Sequence, residues 1–483
     1  MENLQNVKTI EVFKYFEEIA SIPRGSGNEK QISDYLCDFA KNLGLEVFQD
    51  KELNIIIKKP GSKGYENSKP VIIQGHMDMV CEKNKETDHD FTKEGIKLIK
   101  KDDYIYADGT TLGADDGIAI AYALALLSDK TIAHPPLEIL ITADEENGMT
   151  GAMAVNGDHL TGRQLINIDN EDEGFLLVSC AGGIATKSEF IADKEKISDK
   201  VLYQILIRGL KGGHSGTEID KGRGNANIII GRILKSFEGE FDYNIVSING
   251  GNKNNAIPRE AEAVIAVDKS FEEKLNKEIE KWNNTINTEI YTDDPDVKIT
   301  IEEFTKDVGY MYSKDSSLRL TNLLYLYPNG VQTMSREIKD LTESSTNLGI
   351  VKTTDNKVEF HSAVRSSKPS LKQNTVIKIK TITELLGAKF SSNAGYPAWQ
   401  YKKDSPLREL CIKTYREIYK KDIKIYAIHA GVECGLFEER ISGLDMVSFG
   451  PDIKDAHTPN EHISISSTER VWHYLLEILK GLK

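Results

Sequence analysis

The chain opens on an alternation of polar and apolar residues, Met1 to Glu18, in which Val12, Phe13 and Phe16 predict an amphipathic helix. Ile32, Leu36, Phe39 and Leu43 recur at helical spacing in a second helix that Gly44 ends. Short apolar runs with strand character follow at Leu53 to Ile57, Val71 to Ile73, Leu137 to Ile141 and Leu165 to Ile168. Between the second and third of these lies a helix rich in Ala and Leu, Gly117 to Leu127. Alternation of this kind predicts an α/β sheet with helices on its faces.

From Val201 the texture changes. Strands are predicted at Val201 to Ile207, Glu262 to Val267, Asn347 to Thr353 and Val358 to Ser362, and helices at Asn225 to Phe237, Phe271 to Ile286, Ser317 to Leu326 and Leu371 to Leu386. The strands are expected to be antiparallel, with helices on one face. The order strand, helix, strand, strand, helix, strand is read once before Phe304 and again after it. Past Ser391 the α/β texture returns, with a helix from Pro406 to Tyr419 and a strand from Leu444 to Phe449. The simplest architecture is an α/β domain in two parts, residues 1–190 and 391–483, split by an inserted α+β domain at 191–390.

Composition narrows the function. A chain of 483 residues favours two or three domains. Its formal net charge of -14 repels nucleic acid and anionic membranes, and no basic-aromatic stripe offsets it. Neither partner is expected. The N-terminus lacks the apolar core of a signal peptide, and no stretch approaches the roughly 20 apolar residues of a membrane span. Five cysteines with no CxxC pair read as reduced thiols in a cytosolic protein.

The chemistry gathers where strands end. Val71 to Gly75 runs into His76-Met77-Asp78, and Gly113-Ala114-Asp115-Asp116-Gly117 opens the Ala-rich helix. Leu137 to Thr142 runs into Asp144-Glu145-Glu146, and Leu165 to Ile168 into Asp169-Asn170-Glu171. Each cluster alone has a bland explanation: a helix cap, a solvated loop, a structural histidine. Ligands of open α/β sheets gather at the carboxyl ends of strands, so the clusters can converge. Together, one imidazole and four or more carboxylates would repel strongly without cations. Such mixed ligands suit zinc or another first-row divalent ion.

The joint pattern resembles the M20 family of metallopeptidases. His76-Met77-Asp78, Gly113 to Gly117, Asp144 to Ala152, the Asp169 strand end and His457-Thr458-Pro459-Asn460-Glu461 match its motifs in order. The variant Asp108 to Gly117, with the large middle domain, looks closest to the cytosolic aminoacyl-histidine (Xaa-His) dipeptidase group. The resemblance implies a mixed-sheet two-metal peptidase domain with an inserted α+β lid or dimerisation domain. It implies two divalent ions, zinc first and cobalt or manganese as alternatives. Asp115 would bridge them, His76 and Asp169 would bind one, and Glu146 and His457 the other. Asp78 would hydrogen-bond the other nitrogen of His76, and Glu145 would be the general base for a water shared by the ions.

In the middle domain, His214 of Lys211-Gly212-Gly213-His214-Ser215-Gly216 matches a family histidine that stabilises the oxyanion. Asn255 and Arg365 match positions that bind the C-terminal part of the substrate. A histidine and a glutamate four residues apart, His429 and Glu433, would suit a metal on a helix, but Gly431 between them argues for a turn. Gly431 and Glu433 are expected as substrate contacts, Glu433 for a free α-amine. His89, His134, His159, His361, His462 and His473 are read as structural or surface residues. The expected function is metal-dependent hydrolysis of unblocked dipeptides, Xaa-His above all, by a cytosolic enzyme expected to be a homodimer. The alternatives are a related amidohydrolase (an N-acyl amino acid deacylase or a tripeptide aminopeptidase) and, more remotely, a metal-binding protein without catalysis.

Overall fold

A computed structural model describes residues 10–355, 357–393 and 395–483. Met1 to Thr9 of the expected N-terminal helix lie outside the described residues. The remainder forms α1 (Ile10–Ala20), which buries Val12, Phe13, Phe16 and Ile19. There follow α2 (Lys30–Asn42), β1 (Glu46–Gln49), β2 (Ile55–Lys59), β3 (Val71–His76), β4 (Leu98–Lys101), β5 (Tyr104–Ala107), α3 (Ala114–Ser128), β6 (Leu137–Thr142), α4 (Thr150–Ala154), β7 (Gln164–Asn167) and β8 (Phe175–Cys180). The middle of the chain holds β9 (Gly182–Phe190), β10 (Lys194–Lys196), β11 (Val201–Arg208), β12 (Gly213–His214), α5 (Ala226–Ser236), β13 (Tyr243–Gly250), β14 (Ala256–Ile257), β15 (Ala261–Val267), α6 (Glu272–Ile290) and β16 (Lys298–Glu303). It continues through β17 (Tyr310–Tyr312), α7 (Lys314–Leu326), β18 (Gly330–Met334), β19 (Thr342–Thr353), β20 (Val358–Ser366), α8 (Pro369–Leu385) and β21 (Lys389–Ser392). The last stretch holds α9 (Pro406–Tyr419), β22 (Lys424–Ile428), α10 (Glu433–Arg440), β23 (Asp445–Ser448), β24 (Ile453–Lys454), β25 (His462–Ser464) and α11 (Ile465–Gly481).

The chain divides into two compact units. The first comprises Met1–Ser179, Trp399–Ala427 and Val432–Lys483, and the second Cys180–Ala398 with Ile428–Gly431. In the first, eight strands form one sheet in the order β1-β2-β6-β3-β7-β23-β8-β22. Its centre is parallel: β3 pairs β6 and β7, and β7 pairs β23, all in the same direction. β2 joins β6 antiparallel, so the sheet is mixed. β3 and β6 are buried along their whole length, which is why both read as unbroken apolar runs rather than alternations. α3, buried nearly all round, packs on β3 and explains its Ala- and Leu-rich composition. A smaller antiparallel sheet, β24-β25-β5-β4, ties the C-terminal segment to the strand that leads into α3.

In the second unit every pairing of the large sheet, β16-β11-β15-β13-β19-β20-β9-β21 with β18 beside β19, is antiparallel. Its core joins Ile205, Ile207 and Ile265 of the sheet to Ile230, Ile233 and Leu234 of α5, Leu275 and Ile279 of α6, Leu320 and Leu324 of α7 and Ile379 of α8. The βαββαβ order occurs twice, as β11-α5-β13-β15-α6-β16 and as β9-α7-β19-β20-α8-β21. The second copy does not lie wholly after Phe304, as the sequence suggested: its first strand, β9, precedes the entire first copy. In both copies the strands are ordered fourth, first, third, second, and the two second strands, β13 and β19, meet at Asn249↔Lys352 and Gly250↔Val351. Among the described residues no helix is long and apolar enough to cross a membrane.

Candidate metal centre and substrate site

Parallel strands open their carboxyl ends on one edge, and the first unit places its acids there. The register His76↔Thr142 and Gln74↔Asn167 aligns the ends of β3, β6 and β7. Met77 N–H to Thr142 O (2.7 Å) and Ile168 N–H to Gln74 O (2.9 Å) carry the pairing just beyond. Asp169 lies beyond the end of β7 with one residue, Ile168, between them, and Glu145 and Glu146 form a turn after β6. His457 comes from the loop between β24 and β25, where it adopts φ 63°, a left-handed conformation uncommon for residues other than glycine.

Asp115 stands between two imidazoles. Its Oδ1 is 3.1 Å from His76 Nε2, and its Oδ2 is 3.2 Å from His457 Nε2. His76 Nε2 also lies 3.6 Å from Asp169 Oδ1, and His457 Nε2 lies 2.9 Å from Glu146 Oε1. Each imidazole thus faces one oxygen of Asp115 and one further carboxylate. Candidate donor atoms of Asp115, Glu146 and His457 lie within 4.8 Å of one another, as do those of His76, Asp116 and Asp169, and those of His76, Glu145 and Glu146.

This donor set fits divalent cations. Side chains alone balance the charge only by holding protons in unusual places. The neighbouring Asp115 and Glu146 carboxylates push His457 up to about 11. Burial, opposed by His76 and reinforced by the Asp169, Glu433 and Glu146 carboxylates, pushes Glu145 up to about 9. Burial, against the His76 hydrogen bond, raises Asp169 to about 6. Glu146 Oε1 is buried and makes no well-aligned hydrogen bond, even with His457 at 2.9 Å. Imidazole and carboxylate donors aimed at shared points are what a first-row divalent ion requires.

A frame of buried groups holds these residues. The Asp78 carboxylate accepts from the amides of Glu145 (2.9 Å) and Glu146 (3.1 Å) and from Ser26 Oγ (2.7 Å). Its Oδ1 is 3.4 Å from His76 Nδ1, whose hydrogen bond goes to the Asp78 carbonyl at 3.2 Å. Asp78 therefore fixes the glutamate turn as much as the His76 ring. Burial opposes its ionisation, but His76, Ser26 and the Glu145 amide hold it down at about 2. Asp116, joined to Asp115 by a cis peptide, accepts from the His76 amide (3.1 Å).

Two residues to which the sequence reading gave no role brace the turn before α3. Arg24, 2% exposed, donates to the carbonyls of Met77, Asp78 and Gly113. The Glu461 carboxylate, also 2% exposed, accepts from the amides of Leu112, Gly113, Ala114 and Asp115 at 2.7–3.3 Å. Backbone amides at a helix start need such an acceptor. Glu461→Ala is therefore expected to destabilise the protein by about 2–3 kcal/mol in a denaturant titration, the range for hydrogen bonds to a charged group.

Glu433 begins α10 and is fully buried; its Oε2 accepts from Gln74 Nε2 (2.6 Å) and Thr142 Oγ1 (2.8 Å). Its Oε1 has no hydrogen-bond partner. Burial, with His76 opposing and Asp169 adding, raises its pKa to about 7. No helix joins His429 to Glu433: the chain bends at His429 and Ala430, α10 starts only at Glu433, and the two residues fall in different units.

His214, Asn255, Arg365 and Gly431 belong to the second unit. His214 ends β12 and pairs with Ala256 of β14, next to exposed Asn255, whose carbonyl accepts from Ser215 N–H (2.8 Å). Arg365, 7% exposed, donates from Nη1 to Tyr396 Oη (2.8 Å) and has an unpartnered Nε. Gly431 lies so close to the Tyr396 ring that a Cβ would stand 2.4 Å from it. His429 Nε2 bonds Ser345 Oγ (2.7 Å); burial and Arg365 press its pKa down to about 3. Among the histidines read as structural, His159 stacks on Phe48, His462 stacks on Tyr106, and His134 Nδ1 lies 2.7 Å from Pro135 O.

The sequence pattern of peptidase family M20/M25/M40 matches residues 72–481. The chain belongs to this family. Over 485 aligned residues, this M20 chain is 39% identical to the cytosol non-specific dipeptidase of Escherichia coli (strain K12), spanning 100% of the chain and 99% of that relative. The crystal structure of aminoacylhistidine dipeptidase from Vibrio alginolyticus superposes with a TM-score of 0.95 at 37% identity, covering 100% of this chain and 98% of that one. Aminopeptidase PepT from Bacillus cereus shares the fold at TM-score 0.57 and 18% identity, over 99% of each chain. The α/β mixed-sheet architecture expected from the sequence is thus that of an M20 peptidase.

Proposed function

We propose that the protein is a cytosolic metal-dependent dipeptidase that hydrolyses the amide bond of unblocked dipeptides, Xaa-His dipeptides among them. The observation that carries this reading is Asp115 set between His76 and His457, each with its own further carboxylate, in a chain alike over its whole length to two dipeptidases. His76 and Asp169 would hold one ion, Glu146 and His457 the other, with Asp115 shared between them. Zinc is the first candidate, with cobalt or manganese as alternatives, since all accept this donor set. Bound divalent ions polarise a carbonyl and lower the pKa of a nearby water.

Glu145 takes up the proton of the attacking water and delivers it to the leaving amine. Asp78 orients it by holding both glutamate amides. His214 donates to the carbonyl oxygen as negative charge develops there. Arg365 and Asn255 receive the C-terminal part of the substrate. Glu433, through its unpartnered Oε1, meets the free amine, and Gly431 lies along the substrate.

The descriptions of the two relatives differ, one a non-specific and one an aminoacylhistidine dipeptidase, which supports broad dipeptide cleavage that includes Xaa-His. Localisation in the cytosol is supported by the description of the Escherichia coli relative and by five cysteines with no CxxC pair. The reading includes a homodimer, checked by sedimentation. Because the second unit already joins two βαββαβ copies in one chain, activity is not expected to depend on that dimer.

The substrate experiment compares kcat/KM for an Xaa-His dipeptide, its C-terminal amide and a matching tripeptide. A charged binding group left without its partner in a closed site is costly, so the amide and the tripeptide should be poorer by about 10- to 100-fold. Equal rates on all three would remove the carboxylate and amine contacts. A poor Xaa-His rate beside good cleavage of other dipeptides would remove the histidine substrates alone.

A further inference from the structure

We propose that the backbone amide of Gly216 fixes His214 as the tautomer protonated on Nε2, so that a neutral imidazole presents a hydrogen-bond donor rather than a base. The inference rests on the reading of His214 as the residue that meets the substrate carbonyl, and it specifies the form in which the ring does so.

The ring is held by its own loop. The His214 amide donates to Glu218 Oε2 at 2.8 Å, and the His214 carbonyl accepts from the Glu218 amide at 3.0 Å. Glu218 Oε1 pairs with Arg223 at 2.7 Å, and Arg223 also donates to the Gly212 carbonyl. Asp294, fully buried, accepts from the amides of Lys211 and Gly224 at 2.7 Å each, anchoring both ends of the segment. Within this frame the Gly216 N–H points at His214 Nδ1, 3.3 Å away.

An N–H can be met only by a lone pair, so Nδ1 carries no proton in this arrangement. A neutral imidazole has one proton, which then sits on Nε2. Nε2 has no hydrogen-bond partner among the described residues and remains free to donate. Glycine is needed at position 216 for the approach: a Cβ there would stand 2.9 Å from His214 Cε1 and 2.9 Å from the His429 carbonyl.

A second proton would set Nδ1–H against the Gly216 N–H. Burial and the Arg365 guanidinium lower the His214 pKa, and only Glu218 opposes them. Arg223 is already paired with Glu218, and His429 is held neutral. A neutral donor has a mechanistic consequence. It strengthens as charge develops on an oxygen, yet its state stays constant across the pH range in which Glu145 must work.

The test uses metal-loaded enzyme labelled with 15N-histidine and two-bond 1H–15N correlation spectra from about pH 5.5 to about pH 8. Loss of one ring system in His214→Gln assigns the signal. The expected result is an unprotonated Nδ1 and a protonated Nε2 throughout. A proton on Nδ1, or a ring that becomes doubly protonated at or above its ordinary pKa of about 6.5, would overturn the proposal. Gly216→Ala should mix the two tautomers; an unchanged single tautomer there would show that the amide is not the cause. If that variant does not fold, the wild-type spectrum still decides. Turnover separates the proposal from the reading beneath it. His214→Ala should lower kcat by about 100-fold, the range for loss of one oxyanion donor. A confirmed tautomer with wild-type kcat in His214→Ala would leave the ring's state standing and remove its catalytic role.

Discussion

Glu145→Gln should lower turnover by about 100-fold or more, the range of general acid–base catalysis, while metal content stays near wild type. Glu146→Gln should instead lose metal from one site. The geometry separates the two neighbours. Both amides are tied to Asp78, but Glu146 sends Oε1 to within 2.9 Å of His457, which also faces Asp115. Glu145 carries no such pairing, and its charge is felt instead by His76, Asp169 and Glu433. Glutamine keeps the size of the side chain and removes its ability to take a proton, so a folding defect is not expected. The measurement is kcat alongside metal content by elemental analysis. Loss of metal with chemistry intact in Glu145→Gln would reverse the two roles.

Removal of metal should have the larger effect. Dialysis against a chelator is expected to abolish hydrolysis, and zinc, cobalt or manganese should restore it. The same treatment should lower the melting temperature, because an ion that binds only the folded chain stabilises it by mass action. The cause lies in the side chains: Asp115, Asp116, Glu145, Glu146 and Asp169 crowd around two imidazoles. Without cations, that cluster must hold protons on Glu145 and His457 well outside their ordinary ranges. Full activity in protein shown to be metal-free would remove the mechanism altogether.

Much of this was legible in the sequence, for a physical reason. β3 and β6 are buried on both faces, so they appear as apolar runs, and charge immediately after such a run marks a strand end. That is why His76, Glu145, Glu146 and Asp169 stood out. β13 was not legible. A bulge between Ile245 and Ser247 breaks its alternation, and Asn244, Ser247 and Asn249 interrupt its apolar residues. β9 was hidden because its partners are 168 residues or more further along the chain, in β20 and β21. Arg24 carries no local pattern at all: its three acceptors lie 53, 54 and 89 positions away. Glu461 was visible beside His457, yet its contact with four amides near position 113 depends on the β25–β5 pairing that brings the segments together. The nearest spacing-based inference, a metal pair at His429 and Glu433, was rightly weakened by Gly431.

The meeting of β13 and β19 has a consequence for how the molecule responds to dilution. A βαββαβ unit ordered like either copy leaves its second strand as an open edge, and an open edge pairs with whatever strand it encounters. Here the two edges belong to one chain, so their encounter rate depends on the length of the connecting polypeptide and not on how much protein is present. Two separate copies would part as concentration falls. The joined sheet persists at any dilution that leaves the chain folded.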